Sequence, residues 1–187
     1  MEGAMTAGLN ATEAALLGLL HERPMTGWDL VVTARQRIGN FWTLTQSQVY
    51  RELAGMAKAG LIVAGEPGPR DRKPYAITDR GRAAFAAWIE QDPAREQIRF
   101  PLLLTMEFAS HLSPARLHEI VAGQRAEHAD RLGRYRTTER ELVGAAGQEW
   151  RLATLRFGIR HEEAVLAWLD ELPMLLSESS ATASTTS

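Results

Sequence analysis

Cysteine is absent from all 187 residues. Disulfides, thiolate metal sites and cysteine nucleophiles are thereby excluded. No run approaches the roughly 20 apolar residues that span a bilayer, so no membrane partner is expected. The first ten residues, MEGAMTAGLN, hold no basic region followed by an apolar stretch, the pattern of a secretory leader. The cytoplasm is the expected compartment. No internal repeat is visible. His21, His111, His118, His128 and His161 fall at no metal-ligand spacing, and HEEAV at His161 lacks a second histidine four residues on. GEPGPRDRK lacks the Gly-Lys-Ser/Thr ending of a phosphate-binding loop. No serine, histidine and acid grouping is recognisable. No metal, cofactor or catalytic residue is assigned, and an enzyme is not expected.

What is present is ordinary in total and uneven in distribution. At 45% hydrophobic and 24% charged residues, the chain can bury a core. Its net charge of −2 argues against a polyanion partner until the halves are compared. Between Arg35 and Arg82 nine Lys/Arg face four acids, a surplus of +5; residues 91 to 187 carry 11 bases and 14 acids, or −3. Such asymmetry points to one part that faces a polyanion and another with a different task.

Three helix starts announce themselves. Asn10 precedes Glu13 by three residues, Thr26 precedes Asp29, and Thr45 precedes Gln48. Each pairs a side-chain oxygen at the cap with an acid or amide at the third helical position. The first helix should run from about Ala11 to His21. The second follows Thr26 and breaks at Gly39-Asn40, residues that tolerate a left-handed turn. The third should reach Ala59 and stop at Gly60. On it Val49, Leu53 and Met56 fall on one side at spacings of four and three, opposite Ser47, Tyr50, Arg51 and Lys58. Leu61 to Ala64 reads as a strand and Tyr75 to Ile77 as its antiparallel partner, joined by PGPRDRKPY. A fourth helix begins at Thr78-Asp79 and places Phe85, Trp88 and Ile89 on one side. Three helices, a two-stranded hairpin and a helix make a winged helix-turn-helix.

After a polar hinge the chain is helical again: Pro101 to Leu112, then Pro114 to about Val143, then about Glu149 to Leu172. The expected fold class is mainly α. The expected organisation is a flexible start (1–8), the winged domain (9–92), a helical dimerisation domain (98–176) and a disordered tail (177–187). Trp150, Leu155, Val165, Trp168, Leu169 and Leu172 are the candidate dimerisation residues.

This layout suits duplex DNA, because the second helix of a helix-turn-helix enters the major groove. Gln46, Ser47, Gln48, Tyr50 and Arg51 lie there, with Lys58 further along. Glutamine can bridge adenine N6 and N7, and arginine can grip guanine O6 and N7. Arg70, Arg72 and Lys73 at the hairpin tip can neutralise phosphates or enter the minor groove. Asp71, an acid among these bases, either pairs with Arg70 or Arg72 in the free protein or orients one of them. The competing reading is a winged-helix protein–protein module with a solvated charged turn and no specific DNA binding.

TQSQVYRELAGMAKAGLIVAGEPGPRDRKPYAITDRG resembles the PadR family of bacterial transcriptional regulators. The resemblance is carried by Tyr50, Arg51 and Leu53, by Gly60, Leu61 and Ile62, by the basic hairpin, and by Tyr75, Ile77, Thr78 and Gly81. Upstream, LLGLLHERPMTGWDL is similar too, with Trp28 where tyrosine is common. The match covers about residues 9 to 90. The remainder is more loosely similar to longer members with a multi-helix dimerisation domain. The resemblance implies a homodimeric repressor whose DNA affinity falls when a small molecule binds; the two-fold symmetry of such a dimer then predicts a palindromic operator. Phenolic acids and planar drugs serve some members. Trp88 and Phe85 are the candidate effector-pocket residues here.

Overall fold

The computed structural model describes residues 8–39, 41–66, 68, 73–96 and 98–183, with side chains described through residue 173. The chain divides into two compact units, Met1–Glu96 and Gln97–Ser187. The fold is mainly helical, with one small antiparallel sheet. Among the described residues no helix is long and apolar enough to cross a membrane.

In the first unit the three capping boxes all form. Asn10 Oδ1 accepts from Glu13 N at 2.9 Å and starts α1, Ala11–Leu20. Thr26 caps α2, Gly27–Arg37, and Thr45 caps α3, Gln46–Lys58. Helix α1 is apolar on most sides and is correspondingly enclosed: Ala14, Leu16, Leu17, Leu19 and Leu20 are all buried. It packs against α2, α3, α4 (Asp79–Ile89) and β3 (Pro74–Ile77). Val49, Leu53 and Met56 of α3 complete the core at 0% exposure. α2 ends near Gly39, but by close approach: a Cβ there would sit 2.5 Å from the Arg35 carbonyl oxygen, and its φ is not in the left-handed region. Asn40 lies outside the described residues.

The sheet has three strands, not the two the sequence suggests. Met25–Thr26 forms β1, and the order is β1-β3-β2, with β2 at Ile62–Ala64. Met25 pairs with Tyr75 and Ile62 with Ile77. A two-residue strand shows no period-two alternation, and Thr26 is also the α2 cap, so β1 leaves no mark in the sequence.

A compact lock joins the wing to the helices around it. Gly60 takes φ of +70°, which turns the chain out of α3. Thr78 N donates to the Leu61 carbonyl at 3.1 Å. The Thr78 hydroxyl shares its proton between the Gly60 and Leu61 carbonyls, at 2.8 and 3.0 Å, and accepts from Gly81 N at 3.1 Å. Gly81 is buried beneath this network. A Cβ on it would lie 2.1 Å from the Leu61 oxygen, so only glycine fits.

In the second unit α5 covers Pro101–Glu107 and gives way to a 3-10 turn at Ala109–His111, short of the continuous helix to Leu112 that the sequence suggests. Ser113 caps α6, Pro114–Leu142, with proline at its first turn. Helix α7 runs from Glu149 to Ala183, past the expected end at Leu172 and through Pro173, so residues expected to begin the disordered tail are helical. α6 and α7 pack antiparallel, as their ion pairs record: Arg125 with Asp170, Arg136 with Glu163, Glu139 with Arg156. Leu102, Val165, Leu169 and Leu172 form a buried cluster, joined by Phe100, Ile120, Val121 and Trp168.

A polar cluster is enclosed in the same helix pair. Glu162 is 2% exposed and His128 3%. His128 Nδ1 lies 2.5 Å from Glu162 Oε2, and Arg131 Nη1 donates to Glu162 Oε1 at 3.1 Å. Phe100 sets its ring edge-on to His128, with centroids 6.3 Å apart.

Candidate nucleic-acid interface

The apolar stripe of α3 faces the core, and its spacing fixes what faces solvent. Gln46, Ser47, Tyr50, Arg51 and Lys58 are all exposed; Ser47, Arg51 and Lys58 lie on the opposite face, Tyr50 on its flank, and Gln46 at the helix start, three residues before Val49. Between them stand only small residues, Ala54 and Gly55, so the face is unobstructed along the helix.

The six helix residues are not equally free. Gln46 and Lys58 are exposed at the two ends of the helix. Ser47 Oγ sits 3.1 Å from Thr45 Oγ1 at the cap. Gln48 is half-buried, and its carbonyl oxygen accepts from Thr45 N and from the Thr45 hydroxyl, each at 2.9 Å. The residue that completes the capping box thus has its acceptor committed to the fold. Tyr50, 44% exposed, lays its ring over the start of α2: a Cβ on Gly27 would approach its Cε1 to 2.7 Å. It therefore spaces α2 from α3 as well as facing outward.

The Arg51 side chain is 69% exposed. Its Nε and Nη2 both donate to Glu52 Oε1, at 3.2 and 2.9 Å. The Glu52 carboxyl is held below its ordinary range, first by the Arg51 hydrogen bond and then by one from Asn10. Neither Glu52 nor Asn10 was among the expected site residues. An acid next to a reading arginine looks in sequence like ordinary charge alternation, and no local pattern connects it to a residue 42 positions away.

On the wing, Lys73 is exposed immediately before β3. Arg70, Asp71 and Arg72 lie outside the described residues. The structure thus brings Ser47, Arg51 and Lys58 onto one helix face, with Gln46 at the start of that helix, and places Lys73 on the hairpin that follows it.

The two candidate effector-pocket residues lie on α4. Phe85 packs on α1: its ring stands 4.8 Å from that of His21 and would meet a Gly18 Cβ at 3.3 Å. Trp88 is half-buried and stacks beside Phe85 at 6.5 Å. A surface depression lies elsewhere, on α6, lined by Asp130, Gly133, Arg134, Thr137 and Thr138. Among the described residues no group of three His, Asp or Glu is placed to hold a metal ion.

The candidate dimerisation residues divide. Val165, Leu169 and Leu172 are buried within the helical unit of the chain itself, and Trp168 packs against them. Leu155 is half-buried. Trp150 is 86% exposed, and Phe157, one heptad further along the same helix, is 69% exposed.

Comparison with known proteins divides the chain at the same place. The family profile described as "Transcriptional regulator PadR-like family" matches residues 16–87, and that described as "Virulence activator alpha C-term" matches residues 98–177. "Probable transcriptional regulator Rv1176c" of Mycobacterium tuberculosis is 33% identical over 184 residues, covering 88% of this chain and 96% of that one. The chain belongs to the PadR-like family of transcriptional regulators. Solved PadR structures share its fold. Bacillus subtilis PadR in complex with operator DNA gives a TM-score of 0.76 at 22% identity, over 89% of this chain and 99% of that one. The same protein with p-coumaric acid gives 0.68 at 21%, over 91% and 99%. The Vibrio cholerae virulence activator AphA gives 0.70 at 26%, over 90% and 99%. In this PadR-like chain, the motif residues Gly60, Thr78 and Gly81 are the ones that lock the wing to α3 and α4.

Proposed function

We propose that the protein is a homodimeric, sequence-specific DNA-binding repressor, acting in the cytoplasm, that a small aromatic or phenolic molecule releases from its operator. The observation that carries the reading is the outer face of α3. It presents a hydroxyl and two cations on one side of a rigid helix, with the Gln46 amide at the helix start and the Lys73 wing following it. Arg51 and Gln46 suit base edges, and Ser47, Lys58 and Lys73 suit phosphate oxygens. Two further supports come from the relative: Bacillus subtilis PadR binds operator DNA in one structure and p-coumaric acid in another.

A second copy of the chain is the natural cover for the apolar side chains that the helical unit leaves exposed, Trp150 and Phe157 on α7 and Leu103 and Leu104 on α5. Two-fold symmetry then calls for a palindromic operator with half-sites about one helical turn apart. An effector releases DNA only by binding one separation of the two reading helices better than the other. Trp88 is the residue offered to it, being half-exposed and beside Phe85.

Fluorescence anisotropy of labelled duplexes across a salt series tests the DNA reading. Affinity should fall steeply as salt rises, because each neutralised phosphate releases counterions. Lys73→Ala should reduce the slope of log affinity against log salt by about one unit. A flat salt response contradicts the reading and favours the protein–protein module.

A further inference from the structure

We infer that Glu52 is a positioning residue for base recognition. It holds the Arg51 guanidinium in one orientation and is itself held by Asn10 at the start of α1. The inference rests on the DNA-reading role proposed for Arg51.

The geometry is directional. Arginine carries five N–H donors in a flat fork. Here the Nε side of the fork is occupied: Nε and Nη2 both donate to one oxygen, Glu52 Oε1. The remaining edge, Nη1 with the second Nη2 proton, is the edge that can present two parallel donors to guanine O6 and N7. The other carboxylate oxygen, Oε2, accepts from Asn10 Nδ2 at 3.2 Å. Asn10 is fixed in turn, since its Oδ1 and backbone N make both bonds of the α1 capping box. A chain of hydrogen bonds therefore runs from a rigid helix start to the tip of the reading arginine.

Three features favour aiming over simple stabilisation. Adjacent residues on a helix do not face each other, so the Arg51 side chain must fold sideways to reach Glu52. An arginine this exposed adds little stability through an ion pair. The Glu52 side chain, by contrast, is only 15% exposed and is anchored from a distant element, so the carboxylate is the fixed member and the arginine the directed one. A carboxylate beside Arg51 also weakens its attraction for phosphate in general. The pair trades non-specific grip for direction.

The test uses the full chain, a duplex pool with a randomised centre, and one fixed duplex of arbitrary sequence. Arg51→Ala should relax preference at one base pair of each half-site. Glu52→Gln and Glu52→Ala should relax preference at that same pair, by about tenfold, while affinity for the arbitrary duplex holds or rises. Asn10→Ser keeps a competent helix cap and should give a weaker change of the same kind. Thermal melting of each variant accompanies the binding data. A merely structural Glu52 would lower the melting temperature and both affinities together, leaving base preference intact. Full preference in both Glu52 variants, with Arg51→Ala relaxed, overturns the inference alone. Full preference in Arg51→Ala overturns the DNA reading of Arg51, and the inference falls with it.

Discussion

Replacing Gly81 with alanine adds one methyl group, yet it should be among the most damaging single changes in the winged unit. The new Cβ would stand 2.1 Å from the Leu61 carbonyl oxygen and 2.9 Å from Ile77 Cγ1. Relief requires α4 and the residue before β2 to part by roughly 1.4 Å, since ordinary carbon contacts lie near 3.5 Å. Neither side can yield cheaply. The Leu61 oxygen accepts from Thr78 N at 3.1 Å and from its hydroxyl at 3.0 Å. Ile77 is held in register opposite Ile62. Loss of the two hydrogen bonds costs about 0.5–1.5 kcal/mol each, and overpacking adds about 1–3 kcal/mol. The sum, roughly 2–6 kcal/mol, is a large part of the ~5–15 kcal/mol that keeps a domain folded. Urea unfolding followed by circular dichroism, compared at equal slope, reads the change as a lower midpoint for the winged unit. A shift worth less than about 1 kcal/mol would refute the reasoning, because it would mean that the wing and α4 separate freely.

Three other outcomes follow from the same structure. Gly123 lies within α6 with open space where a Cβ would go; Gly123→Ala should stabilise the helical unit by about 0.5–1 kcal/mol, read as a higher melting temperature. Glu162→Ala leaves His128 and Arg131 without their shared acceptor. It should destabilise the helical unit by about 3 kcal/mol, the low end for breaking a buried pair, because Arg131 is 35% exposed and can rehydrate; an unchanged melt would contradict the pairing. Acid should weaken the fold through Glu52, Glu163 and Asp170, whose carboxyls are held low by hydrogen bonds from arginines. A lowered folded-state value makes the contribution present at neutral pH and lost as pH falls, beginning near the ordinary glutamate value of 4.5. Glu52→Gln should flatten part of that decline in a melting series from pH 7 downward.

The parts legible in sequence are those set by neighbours a few residues apart. Asn10, Thr26 and Thr45 signal helix starts because a cap and its reciprocal partner are always three residues apart. Gly60 marks the end of α3 through a backbone angle that other residues rarely adopt. The face of α3 could be read because the burial of Val49, Leu53 and Met56 leaves one remaining side. Distant partners leave no such trace. Glu52 finds Asn10 across 42 residues, and His128 finds Glu162 across 34. Their types alone, an acid beside a base and an isolated histidine, suggest a solvated surface. Gln48 shows the limit from the other direction: the capping rule and the groove-reading rule both claim it, and its carbonyl oxygen serves the cap. α7 outruns its expected end at Leu172: proline at 173 removes a helix hydrogen bond, and the helix continues through it. The candidate interface residues Val165, Leu169 and Leu172 illustrate a further ambiguity. Periodicity says that a side is covered, and says nothing of whether the cover is the same chain or another.

If two copies of the α3 face read one DNA site, that site is an inverted repeat. Selection of bound duplexes from a random pool by the full chain, followed by sequencing, tests it most directly. Enrichment of an inverted repeat with half-site centres about one helical turn apart is expected, lost when Arg51 is replaced by alanine. Enrichment of no sequence, or of a single asymmetric site with no repeat, would contradict it.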